Sequence, residues 1–93
     1  MITEREMNLM RGWDRLSISQ KKLIQYLMKL GGSAEGSQAS IGRSIGDNQP
    51  ANMLRSVKGL VENGIIEKEF ISSMCIRLSL AKDYDEAIVR LGE

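Results

Sequence analysis

The sequence predicts a mostly helical fold with one small β-hairpin, and three observations carry that expectation. Apolar residues recur at helical spacing in several short stretches up to about residue 62 and again near the end of the chain. From Ile65 the period changes to two: Ile66, Phe70, Met74, Ile76, Leu78 and Leu80 are even-numbered, whereas Glu67, Glu69, Cys75, Arg77 and Ser79 are odd. The boundaries between stretches carry capping residues and glycines. At 93 residues, with no repeat, linker or low-complexity segment, the chain reads as one domain, residues 1–93.

The elements follow in order. Thr3 and Glu6 have capping-box spacing, so a first helix is expected over residues 3–12, with Met7, Met10 and Leu9 on its apolar side and Gly12 as its stop. Ser17 and Gln20 repeat the box for a second helix, Ile18 to Leu30, whose Leu23, Ile24, Leu27 and Leu30 share a face before Gly31-Gly32 ends it. Ser33 to Gly36 is a short polar link with room for a minimal strand. Ser37 caps a short helix that places Ile41 and Ile45 four apart. A turn over Gly46-Asp47-Asn48 leads to Gln49-Pro50, and proline suits a first helical turn, where its missing amide hydrogen costs nothing. That helix is expected to bury Met53, Val57, Leu60 and Val61 and to stop at Asn63-Gly64. In the hairpin, an even sum of paired residue numbers keeps both apolar sets on one face. A three-residue loop, Ile71-Ser72-Ser73, gives a sum of 144 and sets Glu67 opposite Arg77, whereas an odd register would mix the faces and oppose Lys68 to Arg77. Asp83 and Glu86 have capping-box spacing for a last helix over 83–91, with Tyr84, Ala87, Ile88 and Leu91 on one stripe.

Composition excludes several functions. The chain has no histidine, which removes Ser-His-Asp and Cys-His catalysis and nearly all zinc sites. A lone cysteine, Cys75, makes no internal disulfide and fits a reducing compartment. The start lacks the apolar segment of a signal peptide, and no apolar run approaches the ~20 residues of a membrane span, so a cytoplasmic protein is expected. Glu67, Glu69, Asp83, Asp85 and Glu86 read as strand-surface and helix-cap groups. The expectation is no catalytic residue, no metal, no cofactor and no small-molecule ligand.

Three short helices followed by a hairpin resemble the winged helix-turn-helix family, with extra N- and C-terminal helices. The run Ser37 to Gly46 is similar to the family's first motif helix, in which Ile41, Gly42, Ile45 and Gly46 take the aliphatic, small, aliphatic and turn-glycine places. Val57, Leu60, Asn63, Gly64, Ile65 and Ile66 look like the recognition helix and its exit into the wing. The likeness covers roughly Leu16 to Leu80, closest to MarR-type and related small prokaryotic regulators. Two departures stand out. The wing tip offers Ile71-Ser72-Ser73 where the family commonly has Lys or Arg, and Gly42 replaces an alanine-like residue at ~1 kcal/mol of helix propensity.

The resemblance implies DNA binding, and the charge pattern agrees with it. Duplex binding rests on phosphate neutralisation, with a few side chains reading base edges. The net charge is only +1, but residues 15–58 carry Arg15, Lys21, Lys22, Lys29, Arg43, Arg55 and Lys58 against Glu35 and Asp47, an excess of +5. The outward set near the start of the 50–63 helix is Gln49, Ala51, Asn52, Arg55 and Ser56, followed by Lys58 and Gly59. Arg pairs with guanine and Asn or Gln with adenine through two hydrogen bonds each, and Asn52 and Arg55 are three apart on one face. Arg43, Ser40 and Ser44 are expected at phosphates, with Lys21 and Lys22 assisting. The terminal stripes, Met7, Met10 and Trp13 with Tyr84, Ile88 and Leu91, are expected to form a homodimer interface, the alternative being a cap within one chain. The leading expectation is a dimeric, sequence-specific transcriptional regulator of double-stranded DNA. Its alternatives are a winged-helix protein-interaction module that never touches DNA and a replication or plasmid-maintenance factor of the same fold.

Overall fold

The computed structural model describes residues 1–47 and 49–93. Asn48, one position of the predicted turn, lies outside the described residues. The elements run α1 (Glu4–Arg15), α2 (Ile18–Lys29), β1 (Ser33–Gly36), α3 (Gln38–Ser44), α4 (Pro50–Glu62), β2 (Ile66–Ser72), β3 (Cys75–Leu80) and α5 (Tyr84–Leu91). The described part is therefore mostly helical, with five helices and a three-stranded antiparallel sheet in the order β1-β3-β2.

Local chemistry accounts for most boundaries. Thr3 Oγ1 accepts the Glu6 amide hydrogen at 3.1 Å, and at Ser17 both halves of the capping box form with Gln20. The third box does not form. Asp83 makes no cap hydrogen bond with its side chain, and Asp85 Oδ1 takes the Glu86 amide while the Glu86 carboxylate faces Arg5. Asn63 ends α4, and Gly64, at φ 72°, turns the chain into the sheet, with the Ile65 amide donating to the Leu60 carbonyl at 2.9 Å.

Gly12 is not a stop. It sits buried inside α1, which continues to Arg15, because this is where α5 crosses. A β-carbon at Gly12 would collide with the Ile88 carbonyl oxygen, and one at Gly92 would collide with the Asn8 carbonyl oxygen. The ~1 kcal/mol helix penalty of glycine is offset by the backbone approach it permits.

The hairpin keeps the even parity but not the expected register. Ile66 pairs with Leu80, Glu69 with Arg77 and Phe70 with Ile76, a sum of 146, so Glu69 rather than Glu67 opposes Arg77. The loop is the two-residue turn Ser73-Met74, closed by Ser72 and Cys75. A two-residue turn alone would force an odd sum, and Ile71 restores parity as a bulged extra residue. On the outer sheet face, Arg77 lies between two acidic neighbours. Its Nε donates to Glu35 at 2.7 Å and its Nη1 to Glu69 at 3.0 Å, and hydrogen bonding and charge from Glu35, then Glu69, raise its pKa. These side chains are well hydrated, so the pairs align the strands more than they stabilise the fold.

The core collects Leu23, Ile24 and Leu27 from α2, Ile41 and Ile45 from α3, Met53, Val57 and Leu60 from α4, Ile65, Ile66, Ile76 and Leu78 from the hairpin, and Ala87 and Ile88 from α5. One buried expectation fails: Val61 of α4 is exposed. On the apolar side of the hairpin, Phe70 and Met74 are exposed at 74% and 77%, because the hairpin projects past the core and of β2 only Ile66 is buried. No described helix is long and apolar enough to cross a membrane.

Candidate nucleic-acid interface

α4 is held by its first turn and by two small residues. Asp47 accepts the Ser19 hydroxyl at 2.9 Å and the Gln49 amide at 3.1 Å, tying α2 to the entry of α4. Gly42 of α3 faces this junction. A β-carbon there would sit 3.0 Å from the Asp47 carbonyl oxygen and 3.5 Å from Met53 Cγ, so the glycine serves close packing of α3 on α4.

The polar side of α4 carries a chain of hydrogen bonds. Asn52 Nδ2 donates to Gln49 Oε1 at 3.3 Å, and Arg55 Nη2 donates to Asn52 Oδ1 at 2.9 Å. Arg55 Nε also reaches the Ala51 carbonyl at 3.4 Å. The effect is to hold the guanidinium over the first turns of α4, with Gln49, Ala51 and Arg55 exposed and Asn52 half-buried. Lys58 is exposed one turn further on, at 4.0 Å from Glu62. Beside this row is a shallow cleft of about 450 Å³ lined by Ser17, Ile18, Ser19 and Gln20 of the α2 start and by Asn52, Arg55 and Ser56.

Two outward assignments on α4 need correction. Ser56 is buried at 6% exposure, and Gly59 turns toward α2, where a β-carbon would meet Gln20 Nε2 at 2.7 Å. Both small residues serve the packing of α4 against α2 rather than a surface approach. On α3, Ser40, Arg43 and Ser44 are exposed, but the Ser44 hydroxyl donates to the Ser40 carbonyl at 3.1 Å. Arg43 lines a separate cleft of about 400 Å³ with Gln38, Asp47 and Pro50. The structure thus gathers Gln49, Asn52 and Arg55 in one row and places Arg43 across the first turn of α4 from it. Lys21 is half-buried and Lys22 exposed on α2.

Sequence reasoning missed an apolar strip between α4 and β2. Leu54, Val57 and Val61 of α4, with Lys58 and Glu62, face Lys68 of β2 across a groove of about 370 Å³. Lys68 Nζ in turn lies 4.9 Å from the centre of the Phe70 ring. The only sequence signal was Leu54, an apolar residue next to rather than among the inward positions 53, 57 and 60.

The terminal helices pack on each other within the chain. Arg5 pairs with Asp85 at 3.3 Å and with Glu86, and Glu86 then Asp85 raise its pKa. Arg15 Nη1 donates to the Leu91 carbonyl at 2.6 Å. Of the six expected interface residues, Ile88 is 3% exposed and belongs to the core, a correction caused by the close α1–α5 crossing. Met7 and Met10 are exposed, and Trp13, Tyr84 and Leu91 are half-buried. Met10, Trp13 and Tyr84 line an apolar groove of about 570 Å³ with Leu9, Met28 and Ile88. Cys75 is a half-buried free thiol, and among the described residues no group of three His, Cys, Asp or Glu side chains gathers to hold a metal ion. No family model, curated protein or solved structure matches the chain.

Proposed function

We propose that the chain is a cytoplasmic, sequence-specific double-stranded-DNA-binding protein of winged helix-turn-helix type, acting as a dimeric transcriptional regulator. The observation that carries this reading is the hydrogen-bonded row Gln49–Asn52–Arg55 at the start of α4, with Gln49 and Arg55 exposed and Asn52 half-buried, set in the one segment with a strong cationic excess. In this reading α4 enters the major groove, Arg55 reads guanine and Asn52 adenine. Arg43, Lys22 and Lys58 neutralise phosphates, and Ser40 and Ser44 bond to them. β2 and β3 form the wing. Two copies joined through Met7, Met10, Trp13, Tyr84 and Leu91 at the α1–α5 surface present two such helices to half-sites ~34 Å apart. Occupancy then excludes polymerase, and a replication or plasmid-maintenance role would use the same contacts at another site.

A second reading, a winged-helix protein-interaction module, is favoured by the exposed strip of Leu54, Val61, Phe70, Ile71 and Met74. Selection from random duplexes, followed by salt titration of the winner, separates the two. The DNA reading expects an enriched two-fold motif and a log-linear fall of affinity with salt. No enrichment, with duplex affinity equal for all sequences, would overturn it.

A further inference from the structure

β2 lies at an edge of the sheet, whose order is β1-β3-β2, so one side of its backbone has no neighbouring strand. The pairing fixes which residues face that side. In β3 the Leu80 amide donates to Gly32, next to β1, while the following Ala81 amide donates to Ile65, next to β2. Even-numbered residues of β3 therefore bond toward β1 and odd-numbered ones toward β2. Glu67 opposes Ser79 and Glu69 opposes Arg77, so these two direct their backbone groups at β3, and Lys68 and Phe70 present theirs outward. Among the described residues no loop or helix backbone bonds to that outward edge. α4 packs on β2, and the groove between them is apolar, with Leu54, Val57 and Val61 facing Lys68. Leu54 lies about 100° around α4 from Arg55, so this groove is separate from the row Gln49–Asn52–Arg55.

We propose that this edge accepts an added antiparallel strand, an extended segment of a partner protein in which aliphatic and basic residues alternate. The outward backbone groups of Lys68 and Phe70 supply its hydrogen bonds, and the two faces of β2 set its side chains. Partner residues level with Lys68 and Phe70 turn toward α4, into the slot between Leu54, Val61 and the Phe70 ring, which aliphatic side chains fill. The cations there are already engaged: Lys58 is 4.0 Å from Glu62, and Lys68 Nζ lies 4.9 Å from the centre of the Phe70 ring. Partner residues in between turn to the outer face, beside Glu67 and Glu69. Glu67 is exposed with no ion pair among the described residues, and Glu69 shares Arg77 with Glu35, so a basic side chain is the complement. A second copy of β2 does not meet these terms. Antiparallel self-pairing centred on Glu67, Lys68 or Glu69 sets like charges directly opposite each other, a device by which edge strands avoid their own kind. The site uses neither Asn52 nor Arg55 and stands apart from the DNA reading.

The test uses the full chain and an end-blocked peptide of alternating valine and lysine, valine first and last, as long as the 7 residues of β2. Fluorescence anisotropy of the labelled peptide reads affinity, and amide hydrogen exchange reads where it sits. Saturable binding is expected, with slowed exchange at the Lys68 and Phe70 amides and no change at Glu67 and Glu69, which already bond to β3. In an antiparallel added strand the valine amides meet β2 and the lysine amides face water. N-methylation of the valines is therefore expected to abolish binding, and N-methylation of the lysines to preserve it. Leu54→Glu, which puts a charge in the groove, should weaken binding ~10-fold or more, and Glu67→Lys about threefold. The proposal is overturned by a peptide that does not saturate, that leaves the Lys68 and Phe70 amides unprotected, that tolerates N-methylated valine, or that a valine–glutamate peptide matches. Protection of those amides in a dimer of the chain alone also overturns it, because a second copy would then hold the edge. The N-methylated peptides leave the protein unaltered, so that comparison decides even if a variant folds poorly. Failure of the chain to select any duplex removes the DNA reading and leaves this result untouched.

Discussion

Arg55 owes its position to a neighbour rather than to the backbone alone. A free arginine samples many rotamers, and Asn52 Oδ1, accepting from Arg55 Nη2 at 2.9 Å, selects one of them. A pre-placed fork loses less entropy on meeting a guanine edge than a mobile one. Arg55→Ala is therefore expected to cost ~1–3 kcal/mol of binding and relax preference at one base pair, measured as cognate against scrambled affinity. Asn52→Ala removes the proposed adenine contact together with the hydrogen-bond partner of Arg55, so its loss and that of Arg55→Ala should not add in a double-mutant cycle. Gly12 is the residue-scale point of weakness in the fold. Gly12→Ala drives a methyl group into the Ile88 carbonyl and is expected to destabilise by ~1–3 kcal/mol, lowering Tm by ~4–8 °C for each kcal/mol.

Among the elements, α4 and the hairpin show why pattern reading succeeds in part. Periodicity located α4 and its inward Met53, Val57 and Leu60, because these share one helical face. It misjudged Ser56 and Gly59 because a helix that packs on two neighbours has a wider buried arc, and small polar residues fit where helices approach closely. In the hairpin the alternation set the parity, while a bulge at Ile71 shifted the pairs, and bulges leave no mark in a two-residue period. Burial then divides the apolar residues of the hairpin by distance from the core. Leu78→Ala is expected to cost ~2–5 kcal/mol in chemical denaturation, since the side chain is fully buried. Phe70→Ala, at a side chain in solvent, is expected to change stability by less than ~0.5 kcal/mol.

Considered as a whole molecule, the terminal helices have an inner face used within the chain and an outer face left over for the proposed partner copy. The inner face of the α1–α5 pair is consumed within the chain by Ile88, Gly12 and Gly92, and two ion pairs from Arg5 lie beside that contact. The outer face still holds Met10, Trp13 and Tyr84 around an apolar groove, with Met7 exposed on the same helix, and this is the surface proposed for the partner copy. Met10→Glu places a charge on that surface without entering the core. It is expected to shift sedimentation toward the monomer and weaken binding to a two-fold site far more than to a half-site. Retention of a dimer by this variant would move the interface elsewhere.

By itself the sequence determined the order of the helices and hairpin strands and most of their boundaries, the parity of the hairpin, the core members Leu23, Ile24, Leu27, Val57, Leu60 and Leu78, and the cationic middle of the chain. Those features depend on local spacing, capping and residue order, which are properties of the chain before it folds. Only the tertiary structure decided that Gly12 and Gly92 form a helix crossing, that Ser56 faces inward, and that Phe70 and Met74 reach solvent. These depend on distances between segments far apart in sequence, and burial is set by what arrives on the other side.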